Sequence, residues 1–250
     1  MKKALIVKFL IATLILLFFN SLRAEQIVLI GDSHLCGAFG KSLFQNLSKT
    51  YDEVSLYCAV SSAPEHWLKG SNPIGQICSQ MTTKDSNLSP CIDSGRVPKL
   101  EQILTQYPRA KFVVALGTNS LLSPEVSAEY NKLALKITES GNACFWIGPP
   151  HLNPSQSKGF PAGRIATEEK NLNDFYESLM KAIGTKCKQI DSRDSTSVNT
   201  AGNQTVDGVH RTKEAAEYWA VALKSEFSNS DPINQIDIKK LLNKIKNPFD

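Results

Sequence analysis

Four consecutive apolar residues, Ile27-Val28-Leu29-Ile30, are closed at once by Gly31. A short, mostly β-branched run ended by glycine reads as a buried strand. Runs of the same kind recur at 54–60, 111–116, 143–147 and 189–191. Between them the apolar residues fall at helical spacing. Phe39, Leu43, Phe44 and Leu47 form one stripe within 37–49, and Leu172, Phe175, Tyr176 and Leu179 another within 167–183. Pro98 opens a helix to residue 107. Ser123 and Pro124 read as the cap and first residue of a helix running to Ser140, and a further helix spans 212–227. Residues 65–97 keep neither period: Gly70, Pro73, Gly75, Pro90 and Gly95 interrupt polar sequence. A loop of that length in a compact domain is usually functional or cross-linked.

Strands alternating with helices predict an α/β protein, a three-layer α/β/α sandwich on a five-stranded parallel, flavodoxin-like sheet. In that architecture chemistry collects at the carboxyl ends of the strands. Residues 25–250 read as one such domain, with 228–250 as a tail that includes an amphipathic stretch at 233–245.

The first 24 residues stand apart. Lys2, Lys3 and Lys8 precede an apolar run at 9–19 broken only by Thr13, and Ser21-Leu22-Arg23-Ala24 offers a cleavage site before Glu25. This predicts a secretory signal peptide over 1–24. The run is short for a membrane span, so an exported chain, periplasmic or secreted, keeps no stable span after cleavage. The segment also holds four basic residues, with Arg23 the last, and no acid, so the formal net charge of +4 resides entirely within it. The balanced remainder offers no nucleic-acid footprint.

All six cysteines lie after this segment, and an even number in an exported chain favours disulfides. Position suggests the pairing. Cys144 begins one predicted strand and Cys187 precedes the next; Cys78 and Cys91 bracket the polar loop; Cys36 and Cys58 remain, at the mouths of the first two strands. No cysteine or histidine spacing suits a metal site, and no pattern asks for an organic cofactor.

The candidate chemistry sits directly after the strands. Asp32-Ser33-His34 follows Gly31, Asn119 follows the third strand, and Asp207-Gly208-Val209-His210 precedes the last helix. Asp32 or Ser33 taken alone also suits a plain turn cap. Together, the residues supply what nucleophilic acyl transfer needs: a hydroxyl, an imidazole to take its proton, a carboxylate to orient the imidazole, and donors for an oxyanion. Two residues between Asp207 and His210 let both side chains meet within one turn of chain. His34, His66, Trp67 and His151 lie near the strand ends and are candidate substrate contacts. Since His210 already has its carboxylate, His34 reads as a residue supporting the site from behind or forming the cleft wall; His66 and Trp67 also suit a loop anchor.

These blocks resemble the SGNH hydrolase superfamily, the GDSL-like esterases. Gly31-Asp32-Ser33-His34 resembles the first block, with His34 where leucine is usual; Gly117-Thr118-Asn119-Ser120 resembles the third; Asp207-Gly208-Val209-His210 matches the fifth. The resemblance implies Ser33 as nucleophile, His210 as general base and Asp207 as its orienting group. Asn119 and the Ser33 N–H would be oxyanion donors. The second block departs from the family: Ser61-Ser62 stands where a glycine supplies a further donor, so the N–H of Ser61 or Ser62 would take that place.

The expected activity is an exported serine esterase that removes small acyl groups, acetyl above all, from cell-wall or extracellular polysaccharide such as peptidoglycan. Two other readings use the same residues. One is an O-acetyltransferase that passes the acyl group to a sugar hydroxyl; the other is a non-catalytic polysaccharide-binding protein on the same scaffold.

Overall fold

The computed structural model describes residues 25–91 and 95–228. The signal-peptide segment and the tail at 229–250 lie outside the described residues.

Five strands form the parallel part of the sheet: β1 (Gln26–Gly31), β2 (Glu53–Ala59), β5 (Lys111–Ala115), β6 (Ala143–Ile147) and β7 (Lys188–Ile190). They lie in the order β2-β1-β5-β6-β7, the flavodoxin-like arrangement. The register aligns their carboxyl ends. Gly31 lies opposite both Cys58 and Ala115, Ala115 opposite Ile147, and Ile147 opposite Ile190. Side chains leaving these ends therefore share one edge.

The sheet has seven strands rather than five. β3 (Cys78–Thr82) and β4 (Ser89–Pro90) come from the segment expected to be a loop, and both are antiparallel additions beside β2. Their sequence hides them for a physical reason. β3 buries only Cys78 and Met81, and its other residues are partly exposed at the sheet edge, so no apolar run marks it. The pairing is made by backbone bonds to β2 and stapled by the Cys78–Cys91 disulfide.

Alternation along β1 divides the core. Val28 and Ile30 pack with Leu100, Ile103, Leu133, Ile137, Phe175 and Leu179. These come from α4 (Leu100–Gln106), α5 (Ala128–Glu139) and α6 (Ala162–Ile183). Ile27 and Leu29 face the opposite layer, with Leu43 and Phe44 of α2 (Ala38–Leu47) and with Trp219 and Leu223 of α8 (Lys213–Ser228), which follows the one-turn α7 (Arg193–Thr196). Burial on both faces explains why the strands read as unbroken apolar runs.

Two helix starts differ from expectation. α5 begins at Ala128 because Ser123 instead accepts the Glu125 N–H at 3.2 Å, closing a local turn ahead of the helix. α6 begins at Ala162, directly after Pro161, one turn before the apolar stripe becomes visible. The cysteines pair as Cys36–Cys58, Cys78–Cys91 and Cys144–Cys187, the connectivity suggested by their positions. Among the described residues no helix is long and apolar enough to cross a membrane.

Candidate active site

β1 must end on glycine. A Cβ at Gly31 would lie 2.6 Å from the Ala115 carbonyl oxygen and 2.7 Å from the Leu35 side chain. The chain then turns into a one-turn helix, α1 (Ser33–Cys36), before α2, where the sequence suggests a single helix. Asp32 caps α1 by accepting the His34 N–H at 3.0 Å. Ser33 is thus the first residue of a helix, and its own N–H has no intrahelical acceptor.

The turn carrying Asp207 and His210 comes from the far end of the chain. α8 starts three residues beyond His210 and is docked by Trp219 stacked on Phe39 of α2, ring centroids 3.6 Å apart. Stacked aromatic pairs contribute about 0.5–1.5 kcal/mol beyond their burial. Because α2 directly follows the Ser33 turn, this contact brings the two halves of the site together. Gly208 holds φ +91°, and a Cβ there would meet Ile165 at 2.7 Å.

The resulting geometry is a relay. Ser33 Oγ lies 2.9 Å from His210 Nε2, and His210 Nδ1 lies 2.7 Å from Asp207 Oδ2. The other Asp207 oxygen accepts the N–H groups of Val209 at 3.0 Å and His210 at 2.7 Å. Burial works against the Asp207 carboxylate, but the hydrogen bonds from the His210 ring and these two N–H groups outweigh it and hold its pKa below the usual range. An acceptor-only carboxylate at Nδ1 keeps the proton there and leaves Nε2 free to receive the Ser33 proton.

Asn119 follows β5 in a 3-10 turn. Its Nδ2 donates to the Ser62 carbonyl at 3.1 Å and reaches Asp32 Oδ2 at 3.5 Å, near the outer limit of a hydrogen bond. Ser61 holds φ +61°, the left-handed conformation that glycine adopts without strain. Ser61 therefore keeps the backbone shape that a glycine would adopt here. Neither the Ser33 nor the Ser61 N–H has a hydrogen-bond partner among the described residues. Ser62 does not share this role. Its N–H donates to Ala59 O at 3.1 Å, its hydroxyl donates to Gly31 O at 3.2 Å, and its carbonyl serves Asn119. Of the two serines, only Ser61 has an N–H without a partner among the described residues.

Of the expected substrate contacts, two are buried and a third is engaged in capping its own helix. Trp67 is fully buried, its indole N–H donating to Ser62 Oγ at 3.3 Å, so it supports the turn from within the core. His34 is only 4% exposed. Its ring lies 5.5 Å from that of His210 and edge-on to Trp219, behind the relay rather than on the cleft wall. Burial, then the charges of His210 and Arg211, push its pKa well below the ordinary value, so it is neutral. His66 accepts the Ala63 N–H at 3.0 Å through Nδ1 and so caps its own helix, α3 (Pro64–Lys69). His151 stays at the carboxyl end of β6, with its side chain 27% exposed and Nδ1 against Glu169.

Some neighbours leave no trace in the sequence. Phe160 lies with its ring 6.3 Å from His210. Arg211 is buried and donates to the His151 carbonyl. Its position beside His210 was the one available signal; Phe160 and Glu169 arrive only through folding. Asp32, nearly fully buried, has its pKa pushed by desolvation up to about 7 despite the His34 N–H bond.

No protein-family model matches the sequence, and no curated protein matches it. Solved structures do. A lipolytic protein of the G-D-S-L family from Veillonella parvula is 14% identical with a TM-score of 0.54, covering 83% of this chain and 100% of its own. A GDSL-like lipase from Bacteroides thetaiotaomicron is 12% identical at 0.52, covering 81% and 87%. An acetylxylan esterase from Geobacillus stearothermophilus is 10% identical at 0.51, covering 82% and 95%. Sheet order, aligned strand ends and these likenesses agree, and the chain has an SGNH hydrolase-like fold.

Proposed function

We propose that this protein is an exported serine esterase that hydrolyses small O-acyl esters, chiefly O-acetyl, on cell-wall or extracellular polysaccharide. The observation that carries the reading is the unbroken relay Ser33 Oγ–His210 Nε2 at 2.9 Å and His210 Nδ1–Asp207 Oδ2 at 2.7 Å. As Ser33 Oγ attacks the acyl carbonyl carbon, His210 Nε2 takes its proton, and Asp207 stabilises the imidazolium. The N–H groups of Ser33 and Ser61 and the Asn119 amide receive the oxyanion. His210 then returns the proton to the leaving alcohol oxygen. Water, deprotonated by the same nitrogen, adds to the acyl-enzyme and releases the free acid with Ser33 restored.

A cavity of about 170 Å³, lined by Tyr57, Gln80, Arg96 and Gln102 among others, includes none of the relay residues and carries no part of this reading. Three disulfides suit an oxidising compartment and so favour export.

The deciding experiment is Ser33→Ala with a chromogenic acetyl ester and with acetylated xylan and peptidoglycan, each with and without a sugar acceptor. Turnover should fall about 10⁴-fold or more while the fold persists. A serine-directed phosphonate should label Ser33 alone. Full activity in the variant, or labelling at another serine, overturns the assignment; acyl transfer exceeding acetate release replaces the hydrolase with a transferase.

A further inference from the structure

A second hydrogen-bonded histidine–carboxylate couple, His151 with Glu169, takes no part in the relay. After β6 the chain runs Gly148-Pro149-Pro150-His151. The backbone of His151 is pinned on both sides: its N–H donates to Thr196 Oγ1 at 3.0 Å, and its carbonyl accepts a guanidinium N–H of Arg211, the residue after His210. The ring is fixed too. Its Nδ1 lies 2.5 Å from Glu169 Oε1 of α6, and the other Glu169 oxygen accepts the Leu152 N–H at 2.6 Å. A carboxylate only accepts, so the proton of the neutral ring sits on Nδ1 and Nε2 is left as an acceptor. That nitrogen has no partner among the described residues and is not among their buried unpaired polar atoms, so it is open to solvent.

An acceptor held this rigidly, on a residue whose carbonyl meets the side chain following His210, suits a donor on the substrate. An acetyl group has none. The alcohol portion of a sugar ester has several, in its free ring hydroxyls. We propose that His151, oriented by Glu169, accepts a hydrogen bond from a free hydroxyl of the substrate's sugar ring and so selects sugar esters that carry one. His151 is then a specificity residue on the alcohol side, linked to the base-bearing turn through Arg211. This rests on the esterase reading above.

The test compares two substrates with the same ring: a mono-O-acetyl methyl glucoside, whose other hydroxyls are free, and glucose pentaacetate, in which every hydroxyl is capped. The quantity read is the ratio of kcat/KM on the first to that on the second. One lost hydrogen bond should lower this ratio about 5–10-fold in His151→Ala. His151→Gln places its amide near the position of Nε2, whereas His151→Asn places it near Nδ1. The ratio should therefore recover in His151→Gln and stay low in His151→Asn, with circular dichroism confirming the fold of each. Recovery in His151→Asn instead would show that the ring merely props Glu169, and overturns the proposal. So does an equal loss on both substrates, an unchanged ratio, or a wild-type enzyme that prefers the pentaacetate. A wild-type protein that cleaves neither sugar but cleaves aryl acetates overturns this inference and leaves the esterase standing; one that cleaves no ester removes both.

Discussion

Asn119 Nδ2 donates to the Ser62 carbonyl at 3.1 Å, fastening the turn after β5 to the turn after β2. The same amide reaches Asp32 at the turn after β1 only weakly, at 3.5 Å. One amide hydrogen is held by Ser62, and the other, fixed in the same plane, has only this long contact with Asp32.

Replacing this residue separates catalysis from scaffolding. A donor used mainly in the transition state affects kcat rather than KM. Asn119→Ala should lower kcat by about 10²–10³-fold with KM nearly constant. The lost bond to Ser62 should also reduce stability by about 1 kcal/mol. Steady-state kinetics beside a urea titration read both effects. A folded variant with near-normal kcat would leave Asn119 as a tie between turns and nothing more.

Ser61 gives a second, opposite kind of prediction. Its φ of +61° strains any residue with a Cβ, while its N–H needs no particular side chain. Ser61→Gly should retain kcat within a few-fold and stabilise the fold by about 0.5–1 kcal/mol, the relief of strain exceeding glycine's extra entropy when unfolded. Ser61→Val should destabilise it, since β-branching disfavours that conformation. Thermal melts with activity assays decide. A Ser61→Gly variant less stable than the wild type would show that the serine side chain contributes a contact of its own.

Two buried neighbours should bend the pH–stability curve in opposite directions. Asp32 titrates near 7 when folded against 3.8 as its reference value, so between these the folded chain binds more protons than the unfolded chain. Stability from this group therefore falls as pH rises from about 4 to 7. His34 is depressed well below 6.5, so there the unfolded chain binds more protons, and stability is lost as pH falls through 6.5. Asp32→Asn, which still caps α1, should gain on the wild type as pH rises through that window. His34→Leu should gain on it as pH falls below 6.5. Urea titrations at pH 4.5, 6 and 8 would show both trends, and parallel curves for wild type and variants would remove the buried-charge argument.

Much of this molecule was legible before folding. The central strands are buried on both faces, so Ile27 to Ile30 and the runs like it had to be apolar without interruption. Helix stripes were visible because one side of each helix meets the sheet. The relay residues were legible because each follows a strand end or precedes the last helix, and parallel strands in register place such ends on one edge. The cysteine pairing was readable for the same reason: Cys36 and Cys58 lie at adjacent strand mouths, and Cys144 near the start of β6 faces Cys187 just ahead of β7.

What stayed hidden depends on contacts between residues far apart in sequence. β3 is an edge strand with two buried side chains, so its identity comes from pairing with β2 and not from its own pattern. Sequence spacing placed His34, Trp67 and His151 alike near strand ends, yet only the packing decides which way each points. Trp219 closes over His34, Ser62 takes the Trp67 indole, and Glu169, eighteen positions beyond His151, turns that ring outward. A strand's period tells which residues are buried and where the chain emerges. Orientation beyond that point is set by whichever partner the fold delivers, and that partner has no fixed distance along the chain.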